Sequence, residues 1–333
     1  MRRNLLILAG FLIGAFFLYL FLQKVEWAKV YSAMRAANYW WLIPNIASIF
    51  VAMALRAWRW GYMVRPLKKC SFHGLYAASM IGFMASNILP ARLGEFVRPM
   101  SLGSIENVSR SAAMATTLVE RVFDLLTLLA LFTSILLFKK FPDTVDLKHL
   151  ETAGWIFFVL TGVLTVGMIL LKVRTGFTLR WINKLLRVFP EKPRQVVSDI
   201  CEKFASGLEV LSDTKAILII TMQSILLWVV MALSNYLIFL AFGMSYLPID
   251  ASFVVLAVVS VGIMLPNAPG FIGPYQYLTV LSLSLYNVPA ADAAACSIVM
   301  WATQYFTITL AGLYHLKQEH LSLKEVENST VSD

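Results

Sequence analysis

Nine stretches of this chain each run for 15 or more residues with almost no charge: 5–22, 39–64, 75–89, 112–138, 152–171, 216–242, 251–266, 271–286 and 290–316. Water offers no way to cover that much apolar surface, whereas a bilayer accepts helices of about 20 apolar residues as they stand. Of the 333 residues 59% are apolar and 14% charged, against about 25% charged in soluble domains. The 28 Lys and Arg exceed the 19 acids by +9, a balance that in a soluble protein suggests nucleic acid. Here the basic residues fall between apolar runs, where they set orientation, so nucleic acid is excluded as a partner. Cys70, Cys201 and Cys296 are far apart and odd in number; they make neither a disulfide framework nor a metal-ligand pair.

Length and charge then sort the runs. A helix rises 1.5 Å per residue, so runs of 15 or 16 residues span only about 24 Å of a core about 30 Å thick. The first run follows Arg2 and Arg3 and is too long for a cleaved signal peptide, so it is expected to stay as a helix. The segment 172–215 carries nine Lys or Arg against five acids, and 65–73 holds Arg65, Lys68 and Lys69. Both belong on the cytoplasmic side, with Lys317. Segment 139–151 is balanced and 243–250 has no Lys or Arg, so both belong outside.

These assignments agree for an all-α polytopic membrane protein with about six full transmembrane helices and two oppositely oriented re-entrant helical hairpins. The strings LPARLG (89–94) and LPNAPG (265–270) share the frame L-P-x-x-x-G, one at each hairpin tip. The pattern predicts an inverted repeat, with one half over 39–171, the other over 216–316 and a cytoplasmic amphipathic linker over 172–215. The alternative is eight short, tilted spans. Either way residues 1–316 form one membrane domain with cytoplasmic termini, and 317–333 is a polar tail expected to be disordered.

Charges inside apolar runs cost about 2.5 to 3.5 kcal/mol each, so each needs a reason. Arg92, Glu95 and Arg98 recur every three residues past the Leu89-Pro90 break. They read as an anion site, two guanidinium forks with Glu95 orienting one, or as a local pair with Arg98 snorkelling. Glu120, Arg121 and Asp124 lie deep in the 112–138 run. Glu120 and Asp124 share a helical face, and two like charges there call for an arginine from elsewhere; Arg92 or Arg98 is the expected donor. Arg56 and Arg59, amid Trp58, Trp60 and Tyr62, read as interfacial anchors.

The second hairpin is chemically different. Between 216 and 316 there is no Lys or Arg, and Asp250 and Asp292 are the only carboxylates. Its tip offers Asn267, Gly270, Gly273, Tyr275 and Gln276, a neutral polar constriction suited to a hydroxyl-bearing or apolar part of a ligand, or simply a turn. In the linker, Arg180, Lys184 and Arg187 face Phe177 and Trp181, a pattern for a cationic helix on an anionic membrane surface. The four histidines make no metal site, and no catalytic nucleophile motif or phosphate-binding loop occurs. No enzyme activity and no cofactor are expected.

The strings NILPARLGEFVRP (87–99), VERVFDLL (119–126) and LPNAPGFIG (265–273) resemble the lysylphosphatidylglycerol synthase transmembrane, or flippase-like, family over nearly the whole chain. The resemblance implies movement of lipids between leaflets. In some members the region is fused to a soluble domain that transfers an amino acid from aminoacyl-tRNA to phosphatidylglycerol. No segment of this sequence is large enough for that domain, so synthase activity is not expected. By resemblance Arg92, Glu95, Arg98, Glu120, Arg121 and Asp124 are the family's charged positions. The implied function is a flippase in the cytoplasmic membrane for a lipid with an anionic or phosphate-bearing headgroup. The alternative is a non-transporting accessory subunit that holds lipid or a partner lipid-modifying enzyme.

Overall fold

The computed structural model describes residues 2–23, 25–89, 94–138, 147–185, 214–263 and 268–322, and every regular element among them is helical. Six helices have 22 or more residues: α1 (Arg2–Gln23), α3 (Leu42–Val64), α6 (Arg110–Phe138), α7 (Leu147–Val173), α9 (Thr214–Ala241) and α12 (Ala290–Gln318). Between them lie the shorter α2 (Trp27–Ala36), α4 (Phe72–Ile88), α5 (Gly94–Glu106), α8 (Thr175–Leu185), α10 (Ile249–Gly262) and α11 (Pro274–Ser284). By length and apolarity together, three described helices suffice to cross a bilayer: Tyr39–Val64, Lys215–Ala241 and Ala290–Gln318. α6 is longer than some of these, but Glu120, Arg121 and Asp124 interrupt its apolar surface.

Local chemistry sets the boundaries. The Asn38 side chain accepts from the Trp40 amide at 3.2 Å and starts the turn leading into α3. Ser71 caps α4 by accepting from the Gly74 amide at 2.9 Å. Glu106 at the end of α5 accepts from the Ser71 amide at 3.0 Å, tying the two ends of the α4–α5 pair together. That pair is close because glycine lines it. A Cβ on Gly82 would collide with the Cα and Cβ of Arg98, and one on Gly94 with the Gly82 carbonyl and Ser86.

The order long, short, short, long occurs twice, as α3–α4–α5–α6 and as α9–α10–α11–α12. α3 packs on α9, and the first short helix of each group packs on the last long helix of the other, α4 on α12 and α10 on α6. At 17, 13, 14 and 11 residues the four short helices run about 16 to 26 Å, each less than the core thickness. α1 and α2 close one flank, where Phe21, Val25 and Val30 pack against Ala294 and Ala295 of α12.

Candidate ionic cavity between the hairpins

Three helices, α3, α5 and α6, bring charge into the interior. Arg56 and Arg59 are three residues apart and share a face, as do Glu120 and Asp124 one turn apart on α6. Arg59 answers both carboxylates: one guanidinium nitrogen meets Asp124 Oδ1 at 2.7 Å and Ser224 Oγ of α9 at 2.8 Å, and the other meets Glu120 Oε1 at 2.7 Å. Arg98 from α5 takes the second Glu120 oxygen at 2.7 Å and donates to Ser79 Oγ of α4 at 3.2 Å. Its guanidinium lies 4.1 Å from the centre of the buried Trp60 ring, whose indole N–H donates to Thr116 at 3.0 Å. The Arg59, Arg98 and Glu120 side chains are 0 to 2% exposed.

The remaining charges are held loosely. Arg121 approaches Glu95 at 3.4 Å, Asp124 at 3.5 Å and Glu120 at 3.6 Å, and its side chain stays 31% exposed. Arg56 lies 3.7 Å from Asp124 and 4.9 Å from the Phe83 ring centre. Arg56 Nη1, Arg121 Nε and Arg121 Nη2 are buried and have no hydrogen-bond acceptor. Arg56, Glu95, Arg121 and Asp124 together line one wall of a cavity of about 220 Å³. From α9, α10 and α12 the lining includes Trp228, Asn235, Ser260 and Gln304 among apolar side chains. The cavity therefore combines charged groups from α3, α5 and α6 with uncharged polar groups from α9, α10 and α12.

Two expectations change. Arg56 and Arg59 are not interfacial anchors: both are buried, because Glu120 and Asp124 require a cation between them and α3 supplies it. Their signal in the sequence was that requirement, which Arg59 meets together with Arg98. Arg98 neither snorkels nor lines the cavity; it is held against Glu120 and Trp60. Glu95 stands 3.4 Å from Arg121 of α6. Arg92 lies outside the described residues, as do Asn267 and Arg187.

At the second hairpin, Gly270 has φ +70° and Gly273 φ +95°, backbone that favours glycine. A Cβ on Gly270 would stand 3.0 Å from the Tyr305 ring, and one on Gly273 would meet the Gly14 carbonyl of α1. The Gly270 carbonyl accepts from Trp301 Nε1 at 2.6 Å, and the Gln276 side chain accepts from the Gly273 amide at 2.8 Å. Gly270, Gly273 and Gln276 thus shape and cap the turn, while Tyr275 borders the cavity. The turn Pro269–Phe271 packs on α4 near Asn87, which donates to Thr309 at 3.1 Å. Both hairpins meet at the same cavity. On α8, Arg180 and Lys184 are exposed beside exposed Phe177 and Trp181. Among the described residues, no three His, Cys, Asp or Glu gather as metal ligands.

Such a fold and site define an all-helical membrane-embedded protein built of paired short helices around a buried arginine–carboxylate network. The chain belongs to the family described as the lysylphosphatidylglycerol synthase TM region, which matches residues 7–312. It is 25% identical to a UPF0104 membrane protein of Methanocaldococcus jannaschii, covering 81% of this chain and 82% of the other. A UPF0104 membrane protein of Methanothermobacter thermautotrophicus is 24% identical over 86% of this chain and 87% of its own. The glycosyltransferase AglD of Haloferax volcanii is 25% identical over 96% of this chain, which spans 55% of that larger protein. No solved structure matches.

Proposed function

We propose that the protein moves a phosphate-bearing lipid between membrane leaflets and that Arg56 and Arg121 hold the phosphate. The observation that carries this reading is the division among four arginines. Arg59 and Arg98 are engaged by carboxylates at 2.7 Å and only Arg56 and Arg121 of the four border the cavity, at 3.4 to 3.7 Å from their carboxylates. Four guanidiniums face three carboxylates in this network, so one positive charge is unbalanced among the described residues. A buried excess of this kind is relieved by an anion, and phosphate matches the guanidinium fork.

The short helices fit the same reading. Broken helices within a bilayer are tolerated where they face protein or a polar cavity. The two hairpins re-enter the membrane from opposite sides, and their alternate opening exposes the site to one leaflet and then the other. The exposed basic and aromatic face of α8 lies on the anionic cytoplasmic leaflet, with both termini on that side. The similarity to a named glycosyltransferase brings a glycosylated lipid among the phosphate lipids to be tested, and it also supports the second reading, an accessory subunit beside a lipid-modifying enzyme.

The test is leaflet movement of fluorescent phospholipids and a labelled polyprenyl phosphate in liposomes holding the purified protein. Movement that disappears in Arg121→Gln supports the flippase. Movement no faster than in empty liposomes for every lipid, with copurification of a lipid-modifying enzyme unchanged by Arg121→Gln, leaves the accessory reading instead.

A further inference from the structure

Beyond its ionic groups, the cavity is lined by polar groups that carry no charge. Asn235, Ser260 and Gln304 line it half-buried. Two more lining residues are buried with unused hydrogen-bonding atoms: Trp228, 5% exposed, whose indole N–H finds no acceptor, and Asn45, 3% exposed, whose Oδ1 finds no donor. Asn45 Nδ2 is fixed by Ser234, at 2.8 Å to its carbonyl and 2.9 Å to its hydroxyl. The free oxygen is therefore an acceptor, held in place. A buried donor and a buried acceptor each left unpaired cost about 1 to 3 kcal/mol, and such groups persist where a ligand or water completes them. Charge narrows the ligand. Asp250 and Asp292 are the only carboxylates between residues 216 and 316, neither lines the cavity, and Asp250 accepts from the Tyr286 hydroxyl at 3.0 Å. The carboxylates that do line the cavity, Glu95 and Asp124, are already paired with arginines, so a cationic amine would find no unpaired anion, whereas hydroxyls would find both donors and acceptors.

We infer that the cavity selects lipids whose phosphate bears an uncharged, hydroxyl-rich headgroup, a glycerol or a sugar, which is read by Trp228, Asn45, Asn235 and Gln304. This rests on the phosphate-lipid reading above and adds the headgroup class to it. The indole suits the role, since one edge donates while its face covers the apolar side of a sugar ring.

The experiment compares, in proteoliposomes of the full chain, leaflet movement of four tail-labelled lipids. These are phosphatidic acid, phosphatidylglycerol, phosphatidylethanolamine and a monoglycosyl-phosphoryl polyprenol. Phosphatidylglycerol or the glycosyl lipid moving faster than phosphatidylethanolamine supports the inference, and the faster of the two identifies the headgroup source. Trp228→Phe and Asn235→Leu should each slow the preferred lipid about three- to tenfold, one lost hydrogen bond, without slowing phosphatidic acid. Trp228→Phe should leave the melting temperature unchanged or higher, because it removes a donor that pairs with nothing in the protein. Phosphatidylethanolamine moving as fast as phosphatidylglycerol, or variants that slow all lipids alike, overturns the headgroup inference and leaves phosphate-lipid transport standing. Movement of none of the four overturns both.

Discussion

Arg59 and Glu120, 61 residues apart in the chain, meet at 2.7 Å with neither side chain exposed. The same guanidinium holds Asp124, so one residue of α3 neutralises two carboxylates a turn apart on α6. A pair of this kind is expensive to break, because the partner left behind keeps its charge in a dry interior. Arg59→Met should destabilise the protein by about 3 to 5 kcal/mol, seen as a lower melting temperature in detergent. Adding Asp124→Asn to that variant, which removes the carboxylate whose other cations stand 3.5 to 3.7 Å away and leaves Arg98 on Glu120, should recover part of the loss. No recovery would mean that Arg59 stabilises by packing rather than by charge.

Arg121 should behave in the opposite way. Its ion pairs are 3.4 to 3.6 Å long and its side chain is 31% exposed at the cavity, so its removal strands no tightly held carboxylate. Arg121→Gln is expected to shift stability by less than about 1 kcal/mol while abolishing lipid movement. Arg98→Gln, which leaves Glu120 Oε2 without its cation and uncovers Trp60, should lower both stability and movement. Equal melting temperatures for the two variants would contradict the division of the arginines into holding and binding roles.

How much of this was legible beforehand depended on the kind of signal. The six long and four paired short helices followed from apolar run length, since the bilayer thickness fixes what a helix must cover. The shared L-P-x-x-x-G frame marked both breaks. Glu120 and Asp124 announced a missing cation, and Arg98 was among its expected donors. The misreading of Arg56 and Arg59 had a physical origin: arginines among Trp58, Trp60 and Tyr62 near a helix end satisfy every requirement of an interfacial belt. Which face of α3 turns inward is decided by packing against α9 and α6, which a single sequence does not display. Gln276 reads from the sequence either as part of a ligand constriction or as part of a turn, and its backbone partner, the Gly273 amide, is a contact that no spacing displays.

Gly82 should tolerate no side chain. An added Cβ would stand 3.0 Å from the Arg98 Cα, a backbone atom with no freedom to swing away, and would meet the Arg98 Cβ as well. Gly82→Ala therefore pries α5 from α4 and draws Arg98 off Glu120, with an expected cost of about 1 to 3 kcal/mol. Because the shift occurs at the ionic network, lipid movement should fall more than stability does. Thermal unfolding and leaflet movement measured on the same preparation check this, and a variant with normal movement would show that the α4–α5 spacing does not govern the site.

The second hairpin offers the matching probe. Gly273 combines φ +95° with contact against the Gly14 carbonyl and the Leu18 amide of α1, and its own amide is satisfied by the Gln276 side chain. Gly273→Ala faces both a strained backbone and a clash, so a loss of at least about 2 kcal/mol is expected. Gln276→Leu keeps the volume but strands a buried amide, for about 1 to 3 kcal/mol. Gln276→Glu, whose carboxylate still accepts, should recover the capping bond at the cost of burying a charge, so its stability should fall at neutral pH and recover on acidification as the carboxyl takes up a proton. Melting temperatures of the three variants between pH 5 and pH 8 test the assignment. If Gln276→Leu matches the parent protein in stability yet loses lipid movement, the side chain serves the ligand and the capping role given to it here is wrong.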